Sequence, residues 1–192
     1  MRGIVIVGAT QGIGLELAKE CARRGENVTT TGRDGVRAQQ VAAEVAREVS
    51  NGCSISGLGL DLSKPHAISE ALSPIGAIDH IVIAGMVRDM NTINDFNIDA
   101  GINLSITKIV GYATVVHELK DRLSLEGSVL PFGGRAKDLP YPGSTTVSAV
   151  NGAIVGLVRT SAAEIAPPMT AFASMDDCAP GPRAMRRGGT PS

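Results

Sequence analysis

The chain has 192 residues, 43% hydrophobic and 19% charged, with a net charge of -1. That is enough for one domain with a real core, and it excludes the excess positive charge that a nucleic-acid surface needs. Aromatics are only 3% and Trp is absent, so the core falls to Ala, Val, Ile and Leu.

No apolar run approaches the roughly 20 residues of a membrane span, and neither a leader nor a membrane segment is expected. Cys21, Cys53 and Cys178 are odd in number and lack metal-ligand spacing, so neither a metal site nor a disulfide framework is expected. A cytoplasmic protein is expected, with Cys21 as core filling.

Ile4–Val7 is an apolar run, followed at once by Gly8, Gly12 and Gly14. Helical spacing then runs from Gly12 to Arg24 and closes at Gly25. Strand, glycine-rich turn and helix together are the build of a dinucleotide phosphate site. A side chain at these glycines would block the pyrophosphate or the packing of helix on strand. Ala9, Thr10 and Gln11 form the wrapping loop, and the free N–H groups near Ile13 and Gly14 face the anion. A glycine-rich turn with no ligand is the other reading of the same residues.

Val28–Thr31 is a second, β-branched strand, and Asp34–Val49 a long helix with Val41, Val45 and Val49 on one face. Between them stands Thr31-Gly32-Arg33. A carboxylate there would accept from an adenosine ribose, whereas Arg33 offers a fork of donors suited to a 2'-phosphate. NADP is therefore favoured over NAD, unless Arg33 is an ordinary surface arginine at a helix start.

Ile55–Leu60 is a third strand, ended by Asp61, which could accept from an adenine amino group with Leu62 against the ring. Asp61 equally suits a turn or a helix cap. Pro65–Leu72 is a short helix and His80–Ile83 the fourth strand, followed by Ala84-Gly85, a second close approach of backbone. Phe96–Leu119 is a long helical region, Ser128–Leu130 a weak fifth strand, and Arg135–Gly143 a loop. Val147–Ile165 is the most apolar helix, ending at Pro167-Pro168. The alternation predicts an α/β fold, a Rossmann-type doubly wound parallel sheet. It occupies 1–168, with 169–192 as an irregular or disordered tail. Arg183, Arg186 and Arg187 in that tail suit a solvated surface better than the alternative, a contact with nucleic acid or membrane.

From Ile4 to about Pro167 the chain resembles a short-chain dehydrogenase/reductase. The glycine pattern of that family stands here as Val7-Gly8-Ala9-Thr10-Gln11-Gly12-Ile13-Gly14, and its adenine-pocket aspartate corresponds to Asp61. Its Asn-Asn-Ala-Gly appears as Val82-Ile83-Ala84-Gly85, and the asparagine of the next helix is kept as Asn103. The resemblance implies binding of NADP or NAD and oxidoreductase chemistry on a small carbonyl or alcohol. It also implies a homo-oligomer through a seam of the Asn103–Leu119 and Val147–Ile165 helices. The alternative is that both helices simply face the sheet.

The resemblance breaks at the chemistry. With Gly156-Leu157-Val158-Arg159 fixing the register, the family's tyrosine falls on Val147 and its lysine on Asn151, while its serine falls on Gly133 or Gly134. Valine has no exchangeable proton, asparagine no charge to favour a phenolate, and glycine no side-chain donor. Tyr141 is the best substitute acid, or else a loop aromatic packing over the cleft. Ser144, Ser148 and Lys137 lie nearby in sequence, with Ser148 about 100° around the helix from Val147. Asn103 keeps a use without catalysis, bracing the neighbouring helix and strand.

After Pro167 the family pattern fades. Ala171-Phe172-Ala173 is too brief for a full strand, so the sheet is expected to stop after its fifth strand, a C-terminally truncated form of the fold. A truncated or frame-shifted coding sequence would give this look. Two functions remain in view: an NADP(H)-dependent reductase, or a catalytically inactive nucleotide-binding or structural pseudoenzyme.

Overall fold

The computed structural model describes residues 3–49 and 52–165 and the backbone of residues 173–174. Cys178 and the tail arginines lie outside the described residues. The elements are β1 Gly3–Val7, α1 Gly12–Arg23, β2 Asn27–Gly32, α2 Gly35–Val49, β3 Ile55–Gly59, α3 Ile68–Leu72, β4 Ile78–Ile83, α4 Ile98–Ser105, α5 Tyr112–Leu119, β5 Leu123–Gly133, α6 Thr145–Glu164 and β6 Ala173–Ser174. The strands form one parallel sheet in the order β3-β2-β1-β4-β5-β6. This is the expected doubly wound Rossmann-type sheet.

The period of two along β1 divides the core. Val5 and Val7 face one side, with Ile68, Leu72, Tyr112, Val116 and Ile154 from α3, α5 and α6. Ile4 and Ile6 face the other, with Ala18, Ala22, Val41 and Val45 from α1 and α2. Cys21 belongs to that second cluster, and burial pushes its thiol up to about 11, which leaves it an inert core group. The crossover after β1 runs to β2 on one side and the crossover after β4 runs to β5 on the other. The crevice at the carboxyl ends of β1 and β4 is the switch point where ligands sit in such sheets.

Several expected boundaries move. α4 begins at Ile98, not Phe96, because the Asn97 side chain accepts from the Ala100 N–H at 2.9 Å and so caps the helix there. The single long helix predicted over Phe96–Leu119 is interrupted by a π-turn over Ile106–Gly111. It lies where the helix presses on Leu62: a Cβ on Gly111 would stand 2.5 Å from the Leu62 carbonyl oxygen. The fifth strand runs over Leu123–Gly133 rather than Ser128–Leu130, taking in a register shift opposite Ile78–His80. The sheet also does not stop there. β5 extends far enough for Phe132 and Gly133 to pair with Ala173 and Ser174, a sixth strand of two residues inside the predicted tail.

Candidate functional site

The turn after β1 is built from backbone pressed on backbone. A Cβ on Gly8, whose φ is +86°, would stand 2.4 Å from the Gly85 Cα, and one on Gly14 would stand 2.3 Å from the Gly8 carbonyl oxygen. The Ala84 N–H donates to the Val7 carbonyl at 2.8 Å, so β1 and β4 leave the sheet side by side. Gly12 sits in the left-handed region at φ +59° with open space where its Cβ would go. The first turn of α1 has no side-chain cap and no acidic residue. Its N–H groups therefore face a concavity and give it positive potential.

That concavity is a cleft of about 390 Å³. Gly8, Thr10, Gln11, Gly12, Ile13 and Gly14 line one end, Arg33, Asp61 and Leu62 the other, and Ala84, Gly85 and Asn103 the floor and lip. Every cofactor-site residue expected from sequence is thus brought to one place. At Gly32 a Cβ would stand 2.4 Å from the Thr10 Cγ2, so the carboxylate position beside Arg33 is filled by a methyl group. Asp61 Oδ1 accepts from the Ser63 N–H at 3.0 Å and the Ser63 hydroxyl at 2.7 Å; it shapes a turn and lines the cleft at once. Thr107 Oγ1 is buried on the cleft wall with no partner among the described residues. Asn103 is exposed at the lip, and among the described residues its side chain bonds to neither the neighbouring helix nor the strand. The cradle, the uncapped helix start and the orphaned hydroxyl together fit a dinucleotide pyrophosphate.

A second cavity of about 540 Å³ opens beyond Gly12, Ile13 and Met86, residues it shares with the first. Val147 and Asn151 face it from α6, and Gly133 and Gly134 from the end of β5. The register read from the sequence therefore puts these four side by side. Tyr141 also lines this cavity and is 53% exposed. Ser148 is held outside it, 2.9 Å from Ser144 Oγ. Ser144 in turn donates to the Tyr141 carbonyl at 2.7 Å and accepts from the Tyr141 N–H at 2.9 Å. Lys137 pairs with Asp138. Asn91 fixes the roof: its Nδ2 reaches Asp89 Oδ2, the Asn97 carbonyl and Thr146 Oγ1, pinning the loop after β4 to the starts of α4 and α6.

The sequence reading missed Lys108. It is 3% exposed, lies in the π-turn and lines the second cavity. Its Nζ donates to the Phe132 carbonyl at 2.9 Å and to Asn151 Oδ1 at 3.1 Å, and stands 5.5 Å from the centre of the Tyr112 ring. Burial pushes its amine down from 10.5 to about 8. Asn151 is thus the acceptor for an amine carried by a different helix. The same asparagine fixes its other neighbour, since a Cβ on Gly134 would stand 2.6 Å from Asn151 Nδ2.

The sign of the Lys108 shift makes a prediction. Below pH 8 folded and unfolded chains both hold the proton, and the cost of the buried charge is present in full. Between pH 8 and 10.5 the folded state releases it first, so stability rises. Cys21 and Tyr112, both raised by burial, oppose this from pH 9 and pH 10 upward. Comparison with Lys108→Met cancels them. The wild-type chain should gain about 3 kcal/mol on that variant between pH 7.5 and 10.5, read from denaturant unfolding. A flat difference would show that the amine is not desolvated.

The fold and the cleft at its switch point define a protein of the dinucleotide-binding, doubly wound class. Residues 2–180 match the short chain dehydrogenase family, and the chain belongs to it. It is 29% identical over 175 residues to the 3-oxoacyl-[acyl-carrier-protein] reductase FabG of Aquifex aeolicus (strain VF5), covering 85% of this chain and 67% of the relative. It is 28% identical over 157 residues to the inactive 2-(S)-hydroxypropyl-CoM dehydrogenase 2 of Xanthobacter autotrophicus (strain ATCC BAA-1158 / Py2), covering 77% of this chain and 64% of that protein. Among solved structures, a short chain dehydrogenase/reductase family protein superposes with a TM-score of 0.75 at 26% identity, over 85% of this chain and 68% of that one. The chain spans about two thirds of the length of these relatives. No described helix is long and apolar enough to cross a membrane, and no group of three or more potential metal ligands occurs among the described residues.

Proposed function

We propose that this chain binds NADP(H) in the cleft at the ends of β1 and β4, as an oxidoreductase-type protein whose second cavity takes a small carbonyl compound or alcohol. The observation that carries this reading is the uncapped start of α1 over the Gly8–Gly14–Gly85 contact, which leaves room and N–H groups for a pyrophosphate. Arg33 beside the Thr10 methyl favours NADP over NAD, because the site offers a cation and no carboxylate to the 2'-position. Asp61 and Leu62 take the adenine end. The bound cofactor would supply or accept a hydride. Asn103 at the lip and the apolar wall of the second cavity would orient the partner carbon.

A second reading, nucleotide binding without family-type turnover, is favoured by Val147, Asn151 and Gly133/Gly134 on the wall where a phenol, an ammonium and a hydroxyl are needed. Loss of acid–base catalysis alone removes roughly 10²–10⁴-fold in rate. Calorimetric titration with NADP and NAD, followed by NADPH oxidation with a panel of aldehydes and ketones, separates the two. Binding with slow oxidation above the no-protein rate supports the first, binding without oxidation the second. No binding of either dinucleotide overturns both.

Self-association is part of the same proposal. Ile98, Ile102, Ile109 and Val110 are exposed along α4 and the π-turn, and Gly152 and Gly156 leave open space along α6, the two helices expected at a subunit seam.

A further inference from the structure

We propose that Lys108 is a nucleophilic amine that condenses with an aldehyde or unhindered ketone admitted to the second cavity, forming an imine. This goes beyond the dinucleotide reading and does not require a nicotinamide. In the step, the Nζ lone pair attacks the carbonyl carbon and the carbonyl π pair moves to oxygen. Protons then pass from nitrogen to that oxygen, the C–O bond breaks, and water leaves, so no oxidant or reductant is consumed.

The surroundings make the proton of this amine easier to lose than that of a surface lysine. Nζ has two acceptors, the Phe132 carbonyl and Asn151 Oδ1, which match the two N–H groups of an unprotonated amine and leave its lone pair over. Neither acceptor carries a charge. β5 supplies only that carbonyl and the glycines Gly133 and Gly134, and α6 supplies Val147, Val150 and Asn151. On its own helix, Tyr112 lies beneath the amine with its phenol spent on the Gly85 carbonyl at 2.9 Å. The charged groups of the cavity, Arg88 and Asp89, come from the loop after β4, and neither forms an ion pair with Lys108 among the described residues. A lysine desolvated in an apolar pocket is activated for attack on carbonyls.

The surface lysines differ. Lys19 is held protonated by its hydrogen bond to Glu48. At pH 7 an amine near 8 has on the order of 10²-fold more free base than one near its ordinary value.

The test treats the full chain, without dinucleotide, with limiting butanal and sodium cyanoborohydride, which fixes an imine as a stable secondary amine. Peptide mapping assigns the sites and separates the α-amino terminus, which also labels near neutral pH. Lys108 should be butylated at least tenfold faster than Lys19 or Lys120, with a rate that rises with pH to a midpoint near 8. Lys108→Arg, which keeps donors for Phe132 and Asn151, should lose only this fast phase. If Lys108 labels no faster than Lys19, or if the fast phase survives in Lys108→Arg, the proposal fails. Mapping of the wild-type chain decides the matter even if a variant does not fold. A chain that labels at Lys108 but binds no dinucleotide would sink the proposed function and leave this inference standing.

Discussion

Gly14→Ala should lower stability by about 3 kcal/mol, the upper part of the range for overpacking a close contact, and drop the melting temperature by about 6–12 °C. The atoms a methyl group would meet are the Gly8 carbonyl oxygen at 2.3 Å and the Ala9 Cα at 3.0 Å. Both are backbone, so no side chain can swing aside; α1 must lift from β1 instead. Gly12→Ala is the informative contrast. Its Cβ would meet nothing within 4 Å, leaving only the cost of a left-handed φ of +59°, about 1 kcal/mol. Gly12→Ala should therefore fold and yet bind dinucleotide poorly, because the methyl group projects into the space above the α1 N–H groups. Thermal melts and calorimetry on the two variants read the two effects separately. Equal melting temperatures would refute the contact argument.

Arg33→Ala should weaken NADP binding by about 10- to 100-fold, the value of a hydrogen-bonded contact to a charged group, and leave NAD binding nearly unchanged. Arg33 is exposed at the cleft end next to Gly32 and has no ion-pair partner among the described residues, so its removal should hardly touch stability. Raising the salt concentration should mimic the substitution in part, because an exposed charge pair is screened. An equal loss for NADP and NAD would place Arg33 on the pyrophosphate or the fold rather than on a 2'-phosphate.

The nucleotide half was legible because its constraints are local. Gly8, Gly12 and Gly14 follow an apolar strand directly, and the contacts that require glycine at positions 8 and 14 lie within the β1–α1 turn or against Gly85 at the end of the adjacent strand. The register of α6 was legible for a similar reason, since one helix of fixed period carries Val147 and Asn151 to the same wall. Lys108 was hidden because its partners, Phe132 and Asn151, are 24 and 43 residues away, and no spacing rule joins them. One signal was present: a single lysine inside Ile106-Thr107-Lys108-Ile109-Val110-Gly111, in a stretch with no polar face to receive it. The π-turn was equally invisible, because it arises from the approach of Gly111 to the Leu62 backbone. The sixth strand escaped because two residues have no readable periodicity; pairing with β5 defines it.

The fit of Gly134 against Asn151 also bears on how such a pocket can change over generations. A serine at 134 would bring its Cβ to 2.6 Å from Asn151 Nδ2, so the amide that holds Lys108 would have to move. A lysine at 151 would take away the acceptor of Lys108 and set a second amine beside it in a dry pocket, at a cost in charge repulsion and desolvation. Changes at the three positions are therefore coupled, because Asn151 touches both of the others. The history of such a pocket is thus epistatic: a substitution at one of the three resets the cost of substitution at the other two.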